Sequence, residues 1–263
     1  MALSYSQLRL YRVCPRQYEY AVIRKLPKGI SVEESFGSSV HNALKKWGEL
    51  EPSAVSLQPL AFSRQQELFS GEPVVNSVPL TEEKLLEIWH QSFIFNTYPT
   101  RLEADFARRR GEDLMRHFFQ WWSSVPRRVV AVEKAFSLSV DGMTVTGRLD
   151  RVEEADDGIR IIDFKTSAPR EQQDVDADLQ LSLYALAAAE LFAVPCHSLS
   201  LLFLSEEGAE ERVTARNASQ CIDARKHIHA IAERITAKDF RPTPSLTICR
   251  RCPYRGVCDV AAA

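Results

Sequence analysis

The sequence predicts an α/β fold, a mixed central sheet flanked by helices and interrupted by a helical insertion. Three observations predict it. The runs "RRVVAVEKAFSLSV", "MTVTGRLDRVEE" and "GIRIIDFKTS" are β-rich and separated by the turn signals "DG" and "ADDG". Helical patterns stand on both sides of that block, and the order helices, three strands, helix, two strands, helix suits layers of helix on sheet. At 263 residues and 45% hydrophobic content, the chain is long enough to bury a sizeable core.

Taken in order, Ser4 and Gln7 form a capping-box pattern ahead of Leu8 and Tyr11, so a short helix begins at the N-terminus. Pro15 interrupts it after Cys14 and opens a second helix over "RQYEYAVI", which leaves Cys14 at a fixed corner. Between Glu33 and Trp47, Phe36, Val40, Ala43, Leu44 and Trp47 recur at helical spacing with His41 beside the stripe. Residues 51–80 read as a linker rich in Pro, Ser and Gln, and helices follow over 81–97 and 100–124 before Pro126. The three β runs make an antiparallel meander. A Leu- and Ala-rich helix spans about 176–192, then come strand-like "SLSLLFLS" and "ERVTAR" and a helix over 219–238. The expected division is 1–50 for N-terminal helices carrying Cys14 and His41, 51–125 for the linker and helical insertion, 126–240 for the core, and 241–263 for a cysteine-bearing segment.

A formal charge of −2 rules out a global basic field of the kind that drives indiscriminate polyanion binding, so any such site is a local groove. No apolar run approaches the roughly 20 residues that span a bilayer, and the N-terminus lacks a signal-peptide core, so no membrane is expected as a partner and a cytoplasmic location is. In that compartment the six cysteines are poor candidates for disulfides. Cys196 and Cys221 read as buried small hydrophobes. Cys249, Cys252 and Cys258 form C-x2-C-x5-C, three thiolates needing one more ligand, for which Cys14 is the candidate. Spacing leaves zinc and an iron–sulfur cluster equally open.

The stretch "GRLDRVEEADDGIRIIDFKTS" places Asp150 and Asp163 among apolar neighbours, where a lone charge is expensive. On hairpin partners the two carboxylates converge, and two carboxylates are what Mg²⁺ or Mn²⁺ takes from protein, with water and phosphate completing the shell. Lys165 shares a strand face with Asp163, where its ammonium can orient an attacking water or neutralise charge at phosphorus. The alternative is salt bridging, Asp150 with Arg148 or Arg151 and Asp163 with Lys165. His41 is a possible third ligand as neutral imidazole. Gln180 and Tyr184, four apart in an apolar helix, serve either core hydrogen bonding or contact with phosphate or Lys165. Glu133 is either a surface strand residue or part of the site. The arginines of "RLEADFARRRGEDLMRHFFQWW" either line a channel, with Trp121 or Trp122 stacking on bases, or form a solvated helix face.

Gly37-x-x-x-His41, Gly147-Arg148-Leu149-Asp150, Asp163-Phe164-Lys165 and Gln180-x-x-x-Tyr184 together resemble, in order, the motifs of the PD-(D/E)xK nuclease superfamily in its RecB-like exonuclease branch. The openings "LSYSQLRLYRVCPRQYEY" and "SFGSSVHNAL" are similar to that branch as well, and the resemblance covers nearly the whole chain apart from about 51–125. It implies a restriction-endonuclease-like sheet and metal ligation by His41, Asp150, Asp163 and the Phe164 carbonyl. Lys165 is then the catalytic lysine, supported by Gln180 and Tyr184. The early cysteine and three late ones resemble AddB-type and CRISPR-associated adaptation nucleases, which implies a [4Fe–4S] cluster on Cys14, Cys249, Cys252 and Cys258 that joins the termini. The expected activity is hydrolysis of DNA, single-stranded or at ends, in repair, recombination or CRISPR-type processing, with a helicase or another DNA-processing protein as a possible partner. The alternative is a non-catalytic DNA-binding module of a helicase–nuclease complex, against which the intact acid and lysine set speaks.

Overall fold

The structure is a computed structural model in which residues 2–51 and 79–262 are described. In chain order the elements are β1 (Ala2–Ser4), α1 (Tyr5–Val13), α2 (Pro15–Tyr18) running into a π-helical turn (Glu19–Ile23), α3 (Val32–Leu50), α4 (Glu82–Ser92) and α5 (Arg101–Ser123). There follow β2 (Val129–Val140), β3 (Met143–Ala155), β4 (Gly158–Lys165), α6 (Gln172–Asp176), α7 (Leu179–Leu191), β5 (Cys196–Leu204), β6 (Ala209–Thr214), α8 (Ala218–Thr236) and α9 (Leu246–Arg250). The expected mixed sheet with flanking helices is found. The linker expected over 51–80 falls almost wholly outside the described residues.

Two compact units divide the chain. The first comprises Met1–Ile30, Ser137–Gly147 and Asn217–Ala263, and the second Ser31–Phe136 and Arg148–Arg216.

In the first unit, the capping box forms as the sequence predicts: Gln7 N–H donates to Ser4 Oγ at 3.2 Å and Ser4 N–H to Gln7 Oε1 at 2.9 Å. β1 went unpredicted because three residues carry no periodicity; it pairs in parallel with the start of β3, Ala2 opposite Thr144. Tyr11 anchors the unit by donating its hydroxyl to the Asp239 carbonyl at 2.5 Å while its ring meets Tyr18 edge-on at 5.6 Å. Tyr18 in turn stacks on Phe240 at 6.1 Å.

In the second unit β3 and β4 run antiparallel, Arg151 opposite Ile162, and β4 and β5 run parallel, Asp163 opposite Leu201. β6 closes the series antiparallel to β5. A strand's side chains alternate between faces. Ile162 and Phe164 on β4 therefore join one apolar cluster with Val40, Leu44 and Trp47 of α3, Trp89 of α4 and Phe118 of α5. Asp163 and Lys165 face the other way, toward α7. Gly111 lets α4 and α5 approach, since a Cβ there would lie 1.8 Å from a Trp89 ring carbon.

Three expectations need correction. The helix expected over 81–97 stops at Ser92 because Phe93 turns extended, and Ile94 N–H then donates to Ser39 Oγ at 3.0 Å, pinning the loop to α3. The helix expected from 176 begins at Leu179, where Asp178 caps it by accepting from Leu181 N–H at 3.1 Å, and α6 is a separate short helix before it. Cys196 and Cys221 are only half-buried.

Candidate active site

The candidate side chains come from five elements, α3, β2, β3, β4 and α7, at positions within the second unit. Continuing the β3–β4 register by one residue sets Asp150 opposite Asp163. Asp150 is buried, and its Oδ2 accepts from the Phe164 N–H at 3.0 Å. From α3, His41 Nδ1 lies 3.4 Å from the same oxygen. From β2, Glu133 Oε1 lies 4.0 Å from His41 Nδ1. His41, Glu133 and Asp150 each offer a ligand atom, and the three atoms lie within 4.8 Å of one another, a set sized for one cation.

Glu133 is the residue whose role sequence reasoning left open. Its backbone sits at φ 48°, left-handed for a non-glycine residue inside a strand. Such a conformation costs about 1–3 kcal/mol and is typical of sites that aim a side chain. Arg148 steadies it at 3.3 Å. In "VEKAF" the only signal was a charge between apolar strand residues; the turn of the backbone leaves no mark in the sequence.

Asp163 stands outside that 4.8 Å set. Its Oδ1 accepts from Tyr184 OH at 2.8 Å and from Gln180 Nε2 at 2.9 Å, and Gln180 Nε2 also reaches Tyr184 OH at 2.7 Å. The other oxygen, Oδ2, is buried, makes no hydrogen bond and lies against the Lys165 ammonium. Lys165 donates onward to Gln180 Oε1 at 3.1 Å. Gln180 and Tyr184 thus hold the Asp163–Lys165 pair from one turn of α7, with the Tyr184 ring edge-on to Phe136 at 6.1 Å.

The salt-bridge alternative for Asp150 does not occur. Arg148 pairs with Glu133, and Arg151, on the opposite strand face, binds Glu51 at 2.6 and 2.8 Å and Glu153 at 2.6 Å. Trp121 and Trp122 are not free to stack on bases. Their indole N–H groups donate to Glu211 at 3.0 Å and Glu51 at 2.7 Å, Arg127 covers the Trp121 ring at 3.6 Å, and Trp122 packs on Trp47.

The electrostatics suit a cation. Burial and the neighbouring Asp163 charge push the Asp150 carboxyl well above its usual range, against the lowering effect of the Phe164 N–H. Burial lowers the His41 imidazole, with Asp163 opposing, so the ring favours its neutral, ligating form. Burial and the Asp163 and Asp150 charges raise the Tyr184 phenol, which stays a donor. A divalent cation beside Asp150 and Glu133 offsets the repulsion that raises Asp150.

The cysteines occupy the first unit. Cys14, Cys249, Cys252 and Cys258 line one narrow cavity with Tyr20 and Ile248. Burial alone would raise the Cys14 thiol, but hydrogen bonds from Thr243, Gln17 and Arg16 outweigh it and lower the thiol. Burial raises Cys252, as does the proximity of Cys14, Cys258 and Cys249. Among the described residues no three of these sulfurs lie within 4.8 Å of one another.

A mixed sheet that carries paired acids, a lysine two residues after the second and a histidine from a covering helix has the makings of a metal-assisted hydrolase. The chain belongs to the PD-(D/E)XK nuclease superfamily, whose family model matches residues 2–259. Two phage proteins are similar along their length: the Gene 69 protein of Mycobacterium phage L5, 25% identical over 98% of this chain and 96% of that one, and the Gene 69 protein of Mycobacterium phage D29, 26% identical over the same shares. Among solved structures, that of SSO0001 aligns with 100% of this chain and 87% of its own at 14% identity and a TM-score of 0.45, too low to carry an argument. Among the described residues, no helix is long and apolar enough to cross a membrane.

Proposed function

We propose that the chain is a deoxyribonuclease of the RecB-like branch that hydrolyses phosphodiester bonds with Mg²⁺ or Mn²⁺, acting on single-stranded DNA or DNA ends. The observation that carries this is the convergence of His41, Glu133 and Asp150 within 4.8 Å, beside an Asp163–Lys165 pair anchored by α7. The donor set, one imidazole and two carboxylates, fits a hard divalent ion. When bound, the metal supplies Lewis-acid polarisation of the phosphate and a lowered water pKa.

The chain's own residues do the rest. His41, Asp150 and Asp163, with the Phe164 carbonyl and Glu133, hold the ion. Lys165, kept between Asp163 and Gln180, orients the attacking water and neutralises charge on the phosphoryl oxygens. Tyr184 and Gln180 fix the Asp163 carboxylate so that Lys165 keeps its place on the strand. Preference for a single strand draws support from α5, where Arg101 is 95% exposed and Arg109 lies over the exposed Phe106 ring at 4.8 Å. The resemblance to helicase-associated nucleases supports work alongside a helicase.

The four cavity cysteines are proposed to hold a [4Fe–4S] cluster. A single tetrahedral zinc at about 2.3 Å from each sulfur would draw the sulfurs to about 3.8 Å apart. That no three of the sulfurs lie within 4.8 Å of one another among the described residues suits a multi-atom cluster, while the hydrogen bonds that favour the Cys14 thiolate suit either metal.

The test is cleavage of end-labelled single- and double-stranded DNA with Mn²⁺ and with EDTA. Wild type should cleave only with metal, and Asp163→Ala and Lys165→Ala should each lose activity more than a hundredfold in protein that circular dichroism shows to be folded. Activity within tenfold of wild type in both variants refutes the site.

A further inference from the structure

We propose that the first compact unit is the part that grips nucleic acid, through an exposed basic surface beside the cysteine cavity that takes the phosphodiester backbone of a single DNA strand. The proposal rests on the nuclease reading for the identity of the polyanion.

The charge of the chain is divided between its units. The first unit holds fourteen Lys and Arg against six Asp and Glu, a formal +8, although the whole chain is −2. The described residues of the second unit hold eighteen against twenty-seven, a formal −9. The acids that fit the second unit for a cation also repel a polyanion, and salt screens that repulsion beyond about 8 Å without reversing it. Summed over each unit, the long-range field therefore attracts a strand to the first unit, whatever local contacts α5 adds.

The basic residues are placed to act together. Arg12 ends α1, Lys25 follows the π-helical turn, and Arg250, Arg251 and Arg255 lie in the C-terminal segment; all five are exposed and none forms an ion pair among the described residues. Thr243 Oγ1 donates to the Val13 carbonyl at 2.9 Å, bringing the approach to the C-terminal segment onto the end of α1. Tyr254 OH donates to the Leu26 carbonyl at 3.3 Å and its ring meets Tyr20 edge-on at 5.6 Å, holding the Lys25 turn against the same segment. Arg255 itself lines the cysteine cavity. Two stretches far apart in sequence, 12–25 and 250–255, thus present unpaired cations from one small unit, a geometry suited to a backbone bearing one charge per nucleotide.

The experiment measures binding of a 20-nucleotide oligothymidylate by fluorescence anisotropy across a NaCl series, in EDTA to prevent cleavage. Each phosphate contact on a single strand contributes about 0.7 to the slope of log affinity against log salt. Arg12→Gln/Lys25→Gln/Arg251→Gln should lower the slope by about 2, and each single variant by about 0.7, which keeps the test readable if the triple variant folds poorly. Lys46→Gln, on the second unit, should leave the slope unchanged. Hydrolysis of thymidine 5′-(p-nitrophenyl phosphate) with Mn²⁺, too small to need a grip, should be unaffected by the triple change. An unaltered slope in the triple and single variants overturns the proposal, as does equal competition by polyglutamate. A lowered slope in a protein that hydrolyses neither substrate leaves the grip standing and refutes the nuclease reading.

Discussion

Arg151→Met should be among the most destabilising single changes in the second unit, and the structure says which group suffers. Arg151 is 1% exposed and is the bidentate partner of Glu51, whose side chain is 2% exposed. Glu153, its other partner, keeps Arg127 at 3.2 Å and Arg160 at 2.9 Å. Glu51 keeps only the Trp122 N–H at 2.7 Å among the described residues, so the substitution strands one buried carboxylate. Removing one partner of a buried pair costs about 3–5 kcal/mol, against about 5–15 kcal/mol for a whole domain. Arg151→Met/Glu51→Gln removes the stranded charge and should recover most of that loss. The assay is urea denaturation followed by tryptophan fluorescence, which reports this unit alone because all four tryptophans, 47, 89, 121 and 122, lie in it. A single variant within about 1 kcal/mol of wild type, or a double variant no more stable than the single, would refute a structural role for the buried charge.

Other outcomes follow from the same geometry. Without metal, the raised Asp150 carboxyl keeps a proton in the folded state that the unfolded chain gives up, so folding stability should fall as pH rises from the ordinary aspartate value of 3.8 through the raised one. Saturating Mn²⁺ should flatten or invert that slope in thermal melts, and an identical slope with and without metal would argue against cation binding at Asp150. Anaerobically purified protein should be brown with about four irons per chain; Cys14→Ala should lose both and expose the N-terminal segment to protease, whereas Cys196→Ala and Cys221→Ala should keep them. One zinc in colourless protein would replace the cluster, and full metal in Cys14→Ala would place the fourth ligand elsewhere. Gly111→Ala drives a methyl into the buried Trp89 ring and should cost about 1–3 kcal/mol, measured by the same fluorescence titration; an unchanged midpoint would show that α4 and α5 can separate freely.

The sequence alone determined what depends on neighbours a few residues apart. The Ser4–Gln7 box, the strand period that puts Asp163 and Lys165 on one face, the "ADDG" turn that sets Asp150 opposite Asp163, and the helical spacing of Gln180 and Tyr184 are all local, and all are found. Glu133 was undecided because its role depends on a left-handed backbone and on meeting α3 across about ninety intervening residues. The salt-bridge alternative that paired Asp150 with Arg148 or Arg151 could not be dismissed from the sequence, because the Glu51 partner of Arg151 lies 100 residues away and on the other strand face. The opposed charges of the two units were invisible in a net charge of −2, since the stretches 1–30 and 217–263 must fold together before their cations add. Hydrogen bonds and alternation are set by the adjacent backbone, whereas long-range pairing and electrostatic fields are sums over whatever the fold brings near.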